Sequence, residues 1–126
     1  LAMQPEIMVL DEPTAGLDPQ GVRDLSALLK ELNDEGITII ISTHEVDLVP
    51  NYAKRVFVLV DGLLIAEGTP KEIFAQPEIL DKANLEVPIV TELFQDLEKE
   101  GFDMNNDYPL TIDEAKEKFL ELLNKN

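Results

Sequence analysis

The chain alternates short, wholly apolar runs with longer stretches in which apolar residues recur every three or four positions. Ile7-Met8-Val9-Leu10 is the first such run, and Asp11-Glu12-Pro13 closes it. A run this short, bounded by acids and a proline, predicts a strand buried on both faces. Residues 14–18 read as a loop. Asp18-Pro19 then predicts a helix start, with Asp18 as N-cap and Pro19 at the first helical position. Val22, Leu25, Leu29 and Leu32 follow at helical spacing, and Gly36 caps the far end. Ile37-Thr38-Ile39-Ile40-Ile41 predicts a second strand, with Ser42-Thr43-His44 at its exit. Residues 45–53 read as a short helix disturbed at Pro50. Residues 56–60, the turn Asp61-Gly62 and residues 63–67 predict a hairpin. Thr69-Pro70-Lys71-Glu72 is a capping box that opens another short helix.

The order strand, helix, strand, helix, strand, strand indicates an α/β core whose first strands are parallel. Asp11-Glu12 and Ser42-Thr43-His44 both fall just past the carboxyl ends of strands, the edge where open α/β sheets bind ligands. Past residue 80 the texture changes. Val87-Pro88 opens an amphipathic helix with Val90, Leu93, Phe94 and Leu97 on one face, stopped by Gly101. Residues 103–109 form a polar loop. Thr111-Ile112-Asp113-Glu114 is a second capping box, starting a helix with Ala115, Phe119, Leu122 and Leu123 on one face. Two helices alone cannot bury both stripes, so they pack on the α/β part or on a partner chain.

At 126 residues the chain is one ordinary domain, or a small one with an appendage. Its 10 basic and 26 acidic side chains give a formal net charge of 10 − 26 = −16. Such a chain repels nucleic-acid phosphates and anionic membrane surfaces, which excludes nucleic acid as a partner held on a basic face. Residues 1–80 hold 14 acids and 5 bases, and residues 81–126 hold 12 and 5, so the acid is spread for solubility and marks no site. The absence of cysteine excludes disulfides, Cys-based zinc sites and Cys nucleophiles. The longest apolar runs, 56–60 and 63–66, are far too short for a bilayer span. The opening Leu1-Ala2-Met3-Gln4-Pro5 has no basic or apolar leader region and no initiator Met, and it reads as a cut end.

A short apolar strand ending in Asp-Glu holds two carboxylates rigidly at a sheet edge. Asp11 is placed to hold magnesium as a hard oxygen ligand, and Glu12 to orient or deprotonate a water that attacks a phosphate. On the dipeptide alone, a solvated acidic turn is the commoner outcome. The neighbours change that balance. Asp11-Glu12-Pro13-Thr14-Ala15-Gly16-Leu17-Asp18-Pro19 is a long string, and Ile39-Ile40-Ile41-Ser42-Thr43-His44-Glu45 follows about 30 residues later.

These strings resemble the nucleotide-binding subunits of ABC transporters. The first is similar to the Walker B strand and D-loop of that family, the second to its switch-histidine loop. The resemblance implies that Asp11 coordinates magnesium, that Glu12 is the general base, that Asp18 communicates across the dimer, and that His44 contacts the γ-phosphate of ATP. The departures are equally specific. The chain has no Gly-x-x-x-x-Gly-Lys-[Ser/Thr] loop, no A-loop aromatic, no Q-loop glutamine in its family setting and no Leu-Ser-Gly-Gly-Gln signature. All of these precede Walker B in the family, and Leu1-Ala2-Met3 looks like the end of the helix that follows the signature.

The implied fold class is therefore α/β, the C-terminal part of an ABC-type P-loop ATPase domain with a small helical extension. Residues 1–80 are expected to be the partial ATPase domain and residues 81–126 the extension. Leu85-Glu86-Val87-Pro88 and Tyr108-Pro109-Leu110-Thr111 resemble the extension of energy-coupling factor ATPases, in the cobalt or nickel importer branch. The implied parent hydrolyses ATP with magnesium at the cytoplasmic face of the cell membrane. Its partners are a second ATPase subunit, in a homo- or heterodimer, and membrane coupling subunits. A vitamin importer of the same family and a non-catalytic dimerisation or regulatory module are the alternatives. The 126 residues alone are expected not to turn over ATP, because no phosphate loop is present. They are expected to self-associate, because a half-domain exposes strand edges.

Overall fold

The computed structural model describes residues 6–124, so the reading of Leu1-Ala2-Met3 as a helix end lies outside the described residues. The chain divides into two compact units, one ending at His44 and the other running from Glu45.

The first unit is a strand–helix–strand. β1 (Ile7–Asp11) and β2 (Thr38–Ser42) pair in parallel, with Ile7 opposite Thr38 and Asp11 opposite Ser42. α1 (Pro19–Asp34) connects them. Asp18 caps it as expected: its Oδ1 accepts from the Gly21 N–H at 2.7 Å, and Pro19 supplies the preset φ of a first helical residue. Gly36, at φ +99°, takes the left-handed turn that ends the helix and leads into β2. The helix turns Val22, Leu25, Leu29 and Leu32 inward, and Leu29 is buried.

The expectation that β1 is buried on both faces is corrected. Met8 and Leu10 are half-buried beside Ile39 and Ile41, whereas Ile7 is 59% and Val9 71% exposed. The cause is the period-2 alternation of strands: α1 is one helix and covers one face of a two-stranded sheet.

In the second unit the 45–53 helix shrinks to one turn, α2 (Val49–Tyr52). Pro50 fits the first turn of a helix, but a helix begun at residue 45 would drive its ring into the carbonyl four residues back. β3 (Val56–Val60) and β4 (Leu63–Gly68) form the expected antiparallel hairpin. Asp61 (φ +51°) and Gly62 (φ +78°) both take positive φ, the mark of a type I′ turn whose twist matches the strands. The register shifts between Val58 and Leu59, which pair with Ala66 and Leu64. Ile65 is the extra residue, a β-bulge.

α3 (Pro70–Phe74) starts on a complete capping box: Thr69 accepts from the Glu72 N–H, and the Glu72 carboxylate accepts from the Thr69 N–H. A further short helix, α4 (Pro77–Lys82), follows. The core gathers Val58, Ile73, Phe74, Leu80 and Leu110. It thus joins the hairpin, α3, α4 and the segment before the last helix.

α5 (Ile89–Lys99) has Pro88 as N-cap, and Gly101 takes φ +110° after it. Its buried face is centred on Thr91 and Phe94, while Leu93 is 55% exposed. Of the expected face, Phe94 is buried and Val90 and Leu97 are half-buried, so only the placement of Leu93 is corrected. The rotation follows the segment that docks there: the buried Thr91 Oγ1 donates to the Pro109 carbonyl at 2.6 Å. The 103–109 loop is polar at most positions, yet Met104 within it is fully buried.

α6 (Ile112–Asn124) begins on half of the expected box. Thr111 Oγ1 accepts from the Glu114 N–H, but the Glu114 carboxylate reaches past Thr111 to the Leu110 N–H. No described residue of α6 is buried, and Ile112, Phe119, Leu120 and Leu123 stand exposed. Of its expected apolar stripe, Ala115 and Leu122 are half-buried and Phe119 and Leu123 are exposed.

Lys71 ties α3 to the loop before α6. Its Nζ donates to Asp107 Oδ1 and to the Tyr108 carbonyl, each at 2.8 Å, and lies 3.6 Å from Glu114. The hydrogen bond and charge of Lys71 hold the Asp107 carboxyl below its ordinary value of 3.8. The stabilisation of a carboxyl with a lowered pKa is complete above the unfolded-state value and is lost as pH falls through the lower folded one. The pair is exposed, so water screens it.

Two measurements test this account. Ile73→Ala removes the centre of the core, and urea unfolding is expected to show a loss of about 3 kcal/mol. Lys71→Met is expected to cost about 0.5 kcal/mol at neutral pH, as exposed ion pairs do. That difference fades below about pH 3.8, and a constant difference down to pH 2 would refute the Lys71–Asp107 assignment.

Candidate functional site

The parallel register of β1 and β2 brings two polar segments together at one sheet edge. Asp11 and Ser42 are the last paired residues, and Ser42 Oγ donates to Asp11 Oδ1. One residue on, the Glu12 N–H donates to the Ser42 carbonyl at 2.8 Å, extending the ladder past the end of β1. Glu12 has φ +45°, a left-handed backbone that a non-glycine residue takes at a cost. The loop then turns tightly: the Ala15 N–H donates to the Glu12 carbonyl and the Leu17 N–H to the Thr14 carbonyl.

Three donors from the β2 exit meet the Glu12 carboxylate. His44 Nδ1 lies 2.7 Å from Oε1, and the His44 backbone N–H donates to the same oxygen at 3.1 Å. Thr43 Oγ1 donates to Oε2 at 3.3 Å. A carboxylate only accepts, so Nδ1 carries the proton and Nε2 is the ring's other nitrogen, at the solvent side. The His44 side chain is 80% exposed and that of Glu12 30%.

Of the four residues expected to form the site, Glu12 and His44 are therefore in direct contact. Asp11 is their neighbour, held by Ser42. Asp18 sits in the same unit, but its carboxylate caps α1 at Gly21. Sequence reasoning missed Ser42 and Thr43 as partners of the carboxylates. The signal was available: two strands of five residues in parallel register place the residues after each strand side by side. A further feature was not legible. The Thr14 hydroxyl, between Glu12 and Asp18 in the sequence, is buried with no hydrogen-bond partner among the described residues.

The arrangement has a definite chemical capacity. Glu12 is an oriented acceptor beside an imidazole, the pairing needed to take a proton from a water and place it against a phosphate. Asp11 offers one hard oxygen ligand. That suits magnesium, which keeps several waters and takes one or two carboxylates plus phosphate oxygens. Among the described residues no three His, Cys, Asp or Glu side chains group as a metal cage. Nor is any helix of the described residues long and apolar enough to cross a membrane.

Comparison with known proteins agrees with this geometry. Residues 1–49 match the family model described as AAA domain, putative AbiEii toxin, Type IV TA system. The energy-coupling factor transporter ATP-binding protein EcfA of Methanosphaera stadtmanae is 51% identical over 98% of this chain and 45% of its own length. The EcfA protein of Methanocaldococcus jannaschii is 50% identical over 98% of this chain and 44% of its own length. Among solved structures, cbiO1 from Clostridium perfringens, part of the ABC transporter complex cbiONQ, is 50% identical over 72% of this chain and 37% of that one, with a TM-score of 0.53. The ADP conformation of MJ1267, an ATP-binding cassette of an ABC transporter, is 34% identical over 65% of this chain and 34% of that one, with a TM-score of 0.57. The chain thus spans somewhat under half the length of the curated relatives it matches. Those matches, together with a strand–helix–strand whose edge carries Asp11, Glu12 and His44, place the chain in the family of ABC transporter ATP-binding subunits, among those of energy-coupling factor type.

Proposed function

We propose that residues 1–80 are the hydrolytic half of the nucleotide site of an energy-coupling factor ATPase, and that residues 81–126 are an extension that meets a second ATPase subunit. The observation that carries the reading is the contact of Glu12 with His44 across the ends of two parallel strands. Glu12 is the general base, accepting the proton of the attacking water. His44 holds Glu12 through Nδ1–H and presents Nε2 toward the γ-phosphate of ATP. Asp11, fixed by Ser42, would hold magnesium, which when bound offsets phosphate charge. Asp18 orders the loop after Glu12 by capping α1, and from there it faces a second subunit. Proton transfer by a positioned base accounts for roughly 10²–10⁴ of rate in such sites.

Capture of the nucleotide needs backbone N–H groups and a lysine that no part of this sequence supplies, so hydrolysis belongs to the complete subunit. The parent works at the cytoplasmic face of the membrane beside membrane coupling subunits. The Tyr108-Pro109-Leu110-Thr111 segment supports a cobalt or nickel importer as the parent. The exposed stripe of α6 supports the dimer contact, as do the apolar faces of β1 and β3 left to solvent.

In a complete subunit carrying these residues, Glu12→Gln is expected to lower kcat for ATP at least about 100-fold while nucleotide binding persists. Turnover within a few-fold of wild type would remove Glu12 as the base. The 126-residue chain is expected to elute and scatter light as a dimer or larger species, without a calorimetric signal on titration with magnesium-ATP. A monomer would refute the dimer contact, and saturable binding would refute the division of the site.

A further inference from the structure

The contact between Glu12 and His44 does not by itself fix the carboxylate. A single bond to Oε1 leaves the group free to rotate about its last torsion, which is broad for a terminal sp² centre. Two further donors remove that freedom. The His44 backbone N–H meets Oε1 at 3.1 Å, and Thr43 Oγ1 meets Oε2 at 3.3 Å. Both oxygens are then engaged from the same side, and both donors belong to the rigid exit of β2. The backbone donor cannot be altered by side-chain substitution. The Thr43 hydroxyl can, and it is the donor seen on Oε2.

Backbone strain at Glu12 makes this support matter. Its φ of +45° is uncommon for a residue with a Cβ and persists where surrounding bonds over-determine it. The Glu12 N–H bond to Ser42 fixes one end of the residue, and the Thr43–His44 donors fix the other. Ser42, Thr43 and His44 thus form three consecutive donors matched to two consecutive acids: Ser42 to Asp11, and Thr43 with His44 to Glu12.

We infer that Thr43 is a positioning residue: its hydroxyl, with the His44 backbone N–H, sets the rotamer of Glu12 and through it the tautomer of His44. The inference rests on the proposed role of Glu12 for its importance to catalysis, but the geometry stands without it. A Glu12 carboxylate held by Thr43 keeps Oε1 on Nδ1, so that the imidazole carries its proton on Nδ1 and turns Nε2 outward. Without the Thr43 donor the carboxylate is held at Oε1 alone, the Nδ1–H bond to it loosens, and the tautomer balance shifts toward that of free imidazole, in which Nε2–H dominates.

The test uses a property of the sequence: His44 is the one histidine in the chain. Imidazole ¹⁵N spectra of the 126-residue chain therefore report His44 alone. They are recorded at about pH 9, above the ordinary imidazole range. Wild type and Thr43→Ser are expected to show mainly Nδ1–H. Thr43→Val is expected to shift the tautomer ratio about five-fold toward Nε2–H, the discrimination one hydrogen bond supplies, with the β1 and β2 amide signals in place. An unchanged ratio in Thr43→Val overturns the inference, as does a wild-type spectrum dominated by Nε2–H. Should Thr43→Val unfold the chain, Thr43→Ala provides the same comparison, and an unchanged ratio there overturns it equally. No nucleotide or turnover enters the measurement, so the inference fails or stands separately from the ATPase reading.

Discussion

The register of two short parallel strands governs the first unit and its site together. Ile7 lies opposite Thr38 and Asp11 opposite Ser42, with no shift between. In a strand of period two, a slip of one residue exchanges faces. A slip of β1 would turn Met8 and Leu10 away from the face that α1 covers and bring Ile7 and Val9 inward, leaving Ile39 and Ile41 without their neighbours. The same slip would carry Ser42 off Asp11, and Thr43 and His44 off Glu12. The apolar pattern that seats the sheet is therefore also what aligns acids with donors. Burial supplies the energy that specifies the register, and the site inherits its precision from it.

The second unit is held by polar details laid over a small core. Its capping groups satisfy helix ends that would otherwise leave N–H groups unpaired, and the variations among them are informative. The Thr69 box closes on itself. At α6 the Glu114 carboxylate bypasses the Thr111 N–H for that of Leu110, because Leu110 is drawn into the core and its N–H needs a partner there. Thr91 serves the same end at Pro109, and Lys71 at Tyr108. The segment 103–110 is thus pinned at several successive carbonyls and amides. That pinning lets Met104 reach full burial from a stretch that is otherwise polar.

Much of this was legible from residue order alone. The helix 19–34, the Asp61-Gly62 hairpin and the Thr69 box each rest on interactions within a few residues, so local pattern suffices. Leu93 and Met104 show where local pattern fails. Leu93 sits at a correct helical spacing, but which side of α5 is inward depends on where residues 103–110 dock, a contact between distant parts of the chain. The burial of β1 failed for a related reason: a continuous apolar run permits cover on both faces but does not supply the second cover. At the site, residue types suggested Asp11 and Glu12, and the resemblance to ABC transporter subunits added Asp18 and His44. They did not name Thr43, because its role comes from a pairing across 31 residues and from the left-handed turn at Glu12.

Charge bears directly on the proposed division of the nucleotide site. Asp11 and Glu12 stand side by side in a chain of net charge −16, and a triphosphate brought to them adds further negative charge at close range. Among the described residues the partners of the two carboxylates are Ser42, Thr43 and His44, of which only the imidazole can carry positive charge. A base needs negative charge to accept a proton, and a phosphate needs positive charge to be held. On the proposed reading the two demands are met on opposite sides of one site. This chain supplies the acceptors, rigid and oriented. On the same proposed reading the phosphate-binding groups would come from elsewhere in a complete subunit, and the exposed apolar faces of β1 and β3 would meet the surfaces that bring them.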